Sequence, residues 1–289
     1  MGFHRLAVAA ALCLWVLTFA SAANATAQMR IVSLAPSATE ILFALGAGPD
    51  VVGVSQYCDY PPQVRDLPRV GSFLTPNLEA IIALRPTLVV GLELSSDVRE
   101  IHALNSMGYP VLLISDDSLK QIEASIEKVG ARIDREDDAR RLVAQIRAQI
   151  AMVQDRLANV KPVRALMLVG HQPIVAVGPD TYLDELMRIA RADNIVDAVG
   201  EQWPHLSLEF IIAMRPEVIL DGAMGTDAAS SGEFWEKYPT IPAVRDHRVY
   251  GYAEDPMLHA GPRVGQSLEL IARKIHPEAW NGDNPGAGQ

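Results

Sequence analysis

The chain repeats one phrase built around a carboxylate. "NLEAIIALRPTLVV" begins at Asn77 and "SLEFIIAMRPEVIL" at Ser207, and each carries a glutamate, Glu79 or Glu209, as its third residue. A carboxylate in the first turn of a helix has two uses. It complements the positive end of its own helix, or it accepts charge-assisted hydrogen bonds from an arginine of another molecule. Other chemistry is sparse. The histidines at 102, 171, 205, 247, 259 and 276 show no paired spacing and no His-rich loop, so the converging ligands that a zinc or manganese carrier needs are not spelled out. No G-x-S-x-G, H-E-x-x-H, P-loop or G-x-G-x-x-G pattern is present, and no spacing pairs two carboxylates for acid–base work. Binding rather than catalysis is expected, with a secreted enzyme or a Zn/Mn carrier as the alternatives.

The elements that must position these residues alternate. Strands are expected at 30–34, 51–54, 88–90 and 111–114, with helices at 37–47, 78–84 and 97–107. Ser37 follows Pro36 and is placed to cap its helix, and Glu40 completes a capping box. Asn77 and Ser207 are N-caps of the duplicated helices. Ile81-Ile82 and Ile211-Ile212 bury those helices, and Arg-Pro ends each one. Strands at 165–169, 175–177 and 249–250 and helices at 181–191 and 263–275 continue the rhythm. Such alternation predicts an α/β fold of parallel sheets with helices on both faces.

Residues 134–160 break the alternation. Ala139, Leu142, Ile146, Ile150, Val153, Leu157 and Val160 fall at steps of three and four, the pattern of one helix of about 40 Å. Asp134 is the expected cap. A coiled-coil dimer is the alternative, but the pattern lasts fewer than four heptads. The repeated phrase therefore occurs once on each side of a long helix. The expected architecture is two Rossmann-like lobes with parallel sheets, 28–133 and 161–278, joined by one long backbone helix, 134–160. A cleft between lobes is a favoured place for a ligand. The tail 279–289 is expected to be disordered.

Composition narrows the class. The chain has 289 residues, 49% hydrophobic and 21% charged, with a net charge of −10. No basic cluster exists to neutralise phosphates, so no nucleic-acid partner is expected. Arg5, an uncharged apolar run over 6–20 and the small residues ending in Ala25-Thr26-Ala27 read as a signal peptide, residues 1–27, cleaved after Ala27. Cys13 leaves with it, and Cys58 stays without a disulfide partner. A soluble, exported, periplasmic product is expected.

The stretches "RIVSLAPSATEILFALG", "VVGVSQYCDYPP", "VGSFLTPNLEAIIALRPTLVV", "WPHLSLEFIIAMRPEVIL" and "AGPRV" resemble the helical-backbone class of periplasmic substrate-binding proteins of ABC importers for iron-siderophores, haem and vitamin B12. The resemblance covers nearly all of residues 29–277, and "YCDYPP", "NLE" and "WPHLSLE" are most similar to the cobalamin-binding branch. It implies a monomer without cofactor that carries a corrinoid, with a ferric siderophore or haem as the alternative ligand. It also implies that Glu79 and Glu209 dock into arginine pockets of a two-fold symmetric ABC permease dimer.

A corrinoid is a large, mostly apolar disc with amide arms, and it wants flat or aliphatic walls with a few amide-compatible partners. The resemblance places Ser37, Tyr57, Phe73, Leu92, His171, Gln172, Trp203 and Met257 at candidate positions. Each also has a local reading: Ser37 as a cap, Phe73, Leu92 and Met257 as core, Trp203-Pro204 as a packed corner. Haem carriers of this fold tend to place a ligating tyrosine just after the Val-Gly that precedes the first phrase; here Val70-Gly71 leads to Ser72-Phe73. Pro256-Met257 stands where a cobalamin binder is expected to show aromatics. Arg69 and Arg263 are the cleft arginines that an anionic siderophore would use.

Overall fold

The structure is a computed structural model that describes residues 29–171, 173–222, 233–252 and 259–280. The expected leader, 1–27, lies outside the described residues, as do residues 281–289 of the expected tail. The first sheet has four parallel strands in the order β2-β1-β3-β4: β1 Ile31–Ser33, β2 Val51–Val54, β3 Leu88–Leu92 and β4 Val111–Ile114. The second centres on β5 (Val163–His171), flanked by β8 (Val218–Asp221), with β9 (Val249–Gly251) beyond it. On the other flank of β5, β7 (Ala192–Asn194) pairs in parallel and β6 (Ile174–Ala176) pairs antiparallel. The parallel strands of the second sheet thus run β7-β5-β8-β9, the same order as the first lobe. The antiparallel β6 departs from the all-parallel expectation; only Gln172 and Pro173 separate it from β5, room for a hairpin and not for a crossover.

Side-chain alternation explains why both sheets are covered on both faces. Ile31, Leu88 and Val90 of the first sheet and Ala165, Met167, Val218 and Leu220 of the second enter one continuous core between the lobes. Val32 and Val89 point to a separate outer core of the first lobe, and Leu166, Leu168 and Ile219 to that of the second. The first lobe's helices are α1 (Pro36–Ala44), α2 (Leu78–Ala83), α3 (Arg99–Ser106) and α4 (Leu119–Arg132). α4 follows β4 and continues the strand–helix rhythm beyond the helices expected from the sequence. Its Ile122, Ile126 and Val129 are buried in the interlobe core.

The long helix is α5, Glu136–Arg156, a single uninterrupted element of 21 residues, about 32 Å at 1.5 Å per residue. It is shorter than 134–160 at both ends. Asp134 is not its cap: the residue takes a left-handed turn with φ 56° that reverses the chain from α4. Glu136, Asp137 and Asp138 occupy the first turn instead, where negative charge suits the helix end. Its apolar stripe is consumed within the chain, against α4 and α9 (Val264–Ile275). Glycines permit this approach. A Cβ at Gly130 of α4 would meet Ala139 Cβ at 2.5 Å, and one at Gly265 of α9 would meet Gln149 Oε1 at 2.1 Å. The second lobe also holds α6 (Tyr182–Ile189), α7 (Leu208–Met214) and α8 (Pro242–Arg245). Residues 279–280 belong to the packed structure rather than to a tail: Trp280 is buried, with the guanidiniums of Arg156 and Arg273 5.3 and 5.1 Å from its ring. No helix among the described residues is long and apolar enough to cross a membrane.

Candidate functional site

The repeat is structural in detail. Asn77 Oδ1 accepts the Ala80 N–H at 3.0 Å and Ser207 Oγ accepts the Phe210 N–H at 3.2 Å, capping α2 and α7. Arg85 and Arg215 close the two helices in the left-handed region, with φ 47° and 52°, because the prolines that follow disfavour a further helical residue. From 77 to 90 and from 207 to 220 the same positions are buried, residue for residue. Ile81 and Ile211 are fully buried; Ile82 and Ile212 are half-buried against the outer cores. Glu79 and Glu209 are both exposed in the first turn of their helices. Backbone N–H and Ser207 hydrogen bonds hold the Glu209 carboxyl below its usual range.

Four ligand candidates stand at the carboxyl ends of strands. Ser37 begins α1 just after β1, Tyr57 follows β2, Leu92 ends β3 and His171 ends β5. Tyr57 is 55% exposed, and Leu92 is half-buried. Phe73 (half-buried) and Trp203 (44% exposed) each precede a duplicated glutamate by six residues. Gln172 and Met257 lie outside the described residues.

Ser37 is not the cap of α1. Ala35 holds that position, and the Ser37 hydroxyl donates to Asp116 Oδ2 at 2.9 Å. Burial raises the Asp116 carboxyl above its usual range, although the Ser37 bond pulls the other way. His171 Nε2 lies 2.5 Å from Asp221 Oδ1, and the Trp235 indole N–H donates to Asp221 Oδ2 at 2.7 Å. The His171 ring stacks on Phe234 at 5.0 Å. The carboxylate thus fixes the imidazole and directs Nε2 to itself.

Glu40 completes no capping box. Its side chain is almost fully buried and joins the two lobes. Arg263, just before α9, donates from Nε to Oε2 at 2.7 Å and from Nη2 to Oε1 at 2.6 Å. His259 Nδ1 lies 3.2 Å from Oε1. The Arg263 guanidinium also lies over the Tyr60 ring, 3.7 Å from its centroid. A second link runs from the Leu119 N–H at the start of α4 to Glu185 Oε2 of α6, 2.8 Å. Segments that follow β1, β2 and β4 of one lobe therefore meet segments of the other that follow β9 and open α6. Arg69, by contrast, is exposed and donates from Nη1 to Ser55 O at 3.0 Å and Cys58 O at 2.5 Å within its own lobe. Among the described residues no group of three His, Cys, Asp or Glu side chains is placed to hold a metal ion.

Comparison with known proteins agrees with the fold. A family model described as periplasmic binding protein matches residues 31–256. A vitamin B12-binding protein of Pectobacterium atrosepticum is 28% identical over 90% of this chain and 92% of its own length. An ABC transporter substrate-binding lipoprotein of Bacillus subtilis is 31% identical over 87% of this chain and 81% of its own. The structure of a periplasmic haem-binding protein of Roseiflexus superposes with a TM-score of 0.78 at 31% identity, covering 87% of this chain and 99% of that one. The chain belongs to the periplasmic binding protein family, of the type that serves ABC importers.

Proposed function

We propose that the protein captures a corrinoid between its lobes in the periplasm and hands it to an inner-membrane ABC permease. The observation that carries this reading is the junction at Glu40, Tyr60, His259 and Arg263, where segments from the carboxyl edges of both sheets come together. Ligands of open α/β sheets bind at such edges. Ser37, Tyr57, Leu92 and His171 stand at strand ends on this side, and Phe73 and Trp203 supply ring faces for a flat macrocycle. The vitamin B12-binding relative supports a corrinoid, and Phe73, which has no oxygen to ligate iron, stands where haem carriers tend to place tyrosine. The lobes share one core and one stiff helix, so capture involves modest lobe movement and a largely preformed site. Glu79 and Glu209 then engage arginines of a permease dimer, which parts the lobes.

A haem ligand is the second reading. The structural relative from Roseiflexus binds haem, and a carboxylate-oriented histidine such as His171 is the kind of group that ligates a metal. Calorimetric titration of the mature protein with cyanocobalamin, haemin and a panel of ferric siderophores decides. Saturable 1:1 binding of cyanocobalamin is expected, and tight binding of haemin alone overturns the corrinoid reading.

A further inference from the structure

We propose that Glu40 is a specificity-determining residue. By neutralising Arg263 at the junction of the lobes it makes the ligand space unreceptive to carboxylates and selects macrocycles whose arms are amides. This inference rests on the corrinoid reading and names the ligand chemistry within it.

Two arginines are the natural receptors for an anionic ligand on this side of the sheets. Arg69 is exposed, with its Nη1 donating to the backbone carbonyls of Ser55 and Cys58, so water screens its charge. Arg263 is held by Glu40 through two parallel hydrogen bonds, the geometry in which a guanidinium is most fully satisfied by a carboxylate. The pair is removed from water: the Glu40 side chain is 2% exposed and that of Arg263 12%. One face of the guanidinium is covered by Tyr60. A ligand carboxylate reaching Arg263 would compete for a charge that Glu40 already pairs, and displacing Glu40 would leave it buried without its counter-ion.

The other polar groups at the strand ends reinforce the bias. Asp116, bonded by Ser37, and Asp221, bonded by His171 and Trp235, are both carboxylates. Asp221 is fully buried with both oxygens bonded, so it acts through its charge alone, whereas at the partly buried Asp116 an incoming propionate or acetate meets like charge and a carboxamide offers N–H donors. Discrimination of this kind comes from the penalty on the wrong ligand as much as from contacts to the right one. The carboxylate that sets it comes from the first lobe and the arginine from the second, 223 positions apart.

The test isolates charge by keeping the macrocycle constant. Cobinamide, with amide arms, and cobyrinic acid, with carboxylate arms, are titrated against the wild type, Glu40→Gln and Arg263→Gln, each checked for cooperative thermal unfolding. The wild type is expected to favour cobinamide. Glu40→Gln frees the positive charge of Arg263 and moves the affinity ratio about tenfold or more towards cobyrinic acid, whereas Arg263→Gln moves it the other way. The opposite signs keep the test decisive if one variant fails to fold. If Glu40 merely ties the lobes together, both ligands weaken equally and the ratio stays fixed, which overturns the proposal. A wild type that prefers cobyrinic acid also overturns it, while corrinoid capture stands. If the wild type binds haemin and neither corrinoid, the corrinoid reading falls. The same ratio is then read between haemin and its dimethyl ester, and an unmoved ratio removes the role of Glu40 as well.

Discussion

Arg30 and Arg164 do the same work at equivalent points of the two lobes. Arg30 donates from Nε and Nη2 to Leu84 O at 2.9 and 2.7 Å, and Arg164 donates from Nη2 to Met214 O at 2.6 Å. Each arginine leads into the central strand of its sheet and reaches a carbonyl at the end of a duplicated helix. Each also accepts, through its own carbonyl, the N–H that precedes the next strand: Thr87 to Arg30 and Glu217 to Arg164, both at 2.8 Å. The repeat therefore extends beyond the fourteen-residue phrase to the strand before it.

Replacing either arginine by methionine keeps the aliphatic stem and removes the donors. A hydrogen bond to a charged group contributes about 1.5–3 kcal/mol, and these two are half-buried, so a loss of about 1–2 kcal/mol is expected from Arg30→Met and from Arg164→Met. Urea denaturation checks this, with a lower midpoint and an unchanged slope. Losses under about 0.3 kcal/mol in both would mean that water replaces the guanidinium without cost.

The elements most legible in the sequence were those whose signals are local. The strands at 51–54 and 111–114 occupy those residues in the structure, because a short apolar run between breakers has few other options. The caps Asn77 and Ser207 likewise act on their own helices. Glu40 shows where local reading stops. Three residues after Ser37 it fits a capping box, yet its partners are Arg263 and His259, whose approach depends on how two lobes fold together. The same holds for His171, whose orientation comes from Asp221, 50 positions away. Helix α4 carries local signals of its own: Ser118 Oγ caps it by accepting the Gln121 N–H at 3.2 Å, and Ile122, Ile126 and Val129 fall at helical spacing. The glycine at position 130 gives it close contact with α5. The resemblance of motifs pointed to the family; which side chains face the ligand depends on lobe packing that the motifs do not encode.

Asp116 gives the molecule a distinct acid dependence. Its carboxyl is raised in the folded protein, chiefly by burial, so the folded state holds this proton more tightly than the unfolded chain. The stability it contributes is present below the unfolded value of 3.8 and is lost as pH rises through the higher folded value. At neutral pH the ionised group is a liability. Asp116→Asn keeps an acceptor for the Ser37 hydroxyl and removes the charge, so it is expected to raise the midpoint of thermal unfolding at pH 7 and to lose that advantage near pH 3. A midpoint lowered equally at both pH values would show that Asp116 is needed as a charge.

Cys58 should be inert in the native state. Its sulfur is buried, 3.2 Å from Thr39 Oγ1 and 3.2 Å from Ser55 Oγ. Burial pushes the thiol up, against the pull of those hydroxyls. The thiolate is the nucleophile, so labelling by an aromatic disulfide at pH 8 is expected to be at least about a hundredfold slower for the folded protein than in denaturant. Rapid native labelling would show that the loop carrying Tyr57 and Tyr60 opens readily.

Glu79 and Glu209 separate docking from capture. Both are exposed, on the duplicated helices that lie on either side of α5 in the chain, and neither has an ion pair that the fold depends on among the described residues. Reversal of both charges, Glu79→Lys with Glu209→Lys, is expected to leave the ligand dissociation constant within about twofold of wild type while ligand-dependent uptake through the permease falls to background. On the proposed docking, each single reversal should fall between, because a two-fold symmetric permease would lose one of its two contacts. The readouts are calorimetry on the purified protein and uptake of labelled ligand into vesicles or cells that contain the permease. Uptake at the wild-type rate in the double variant would mean that these glutamates serve only the positive ends of their own helices.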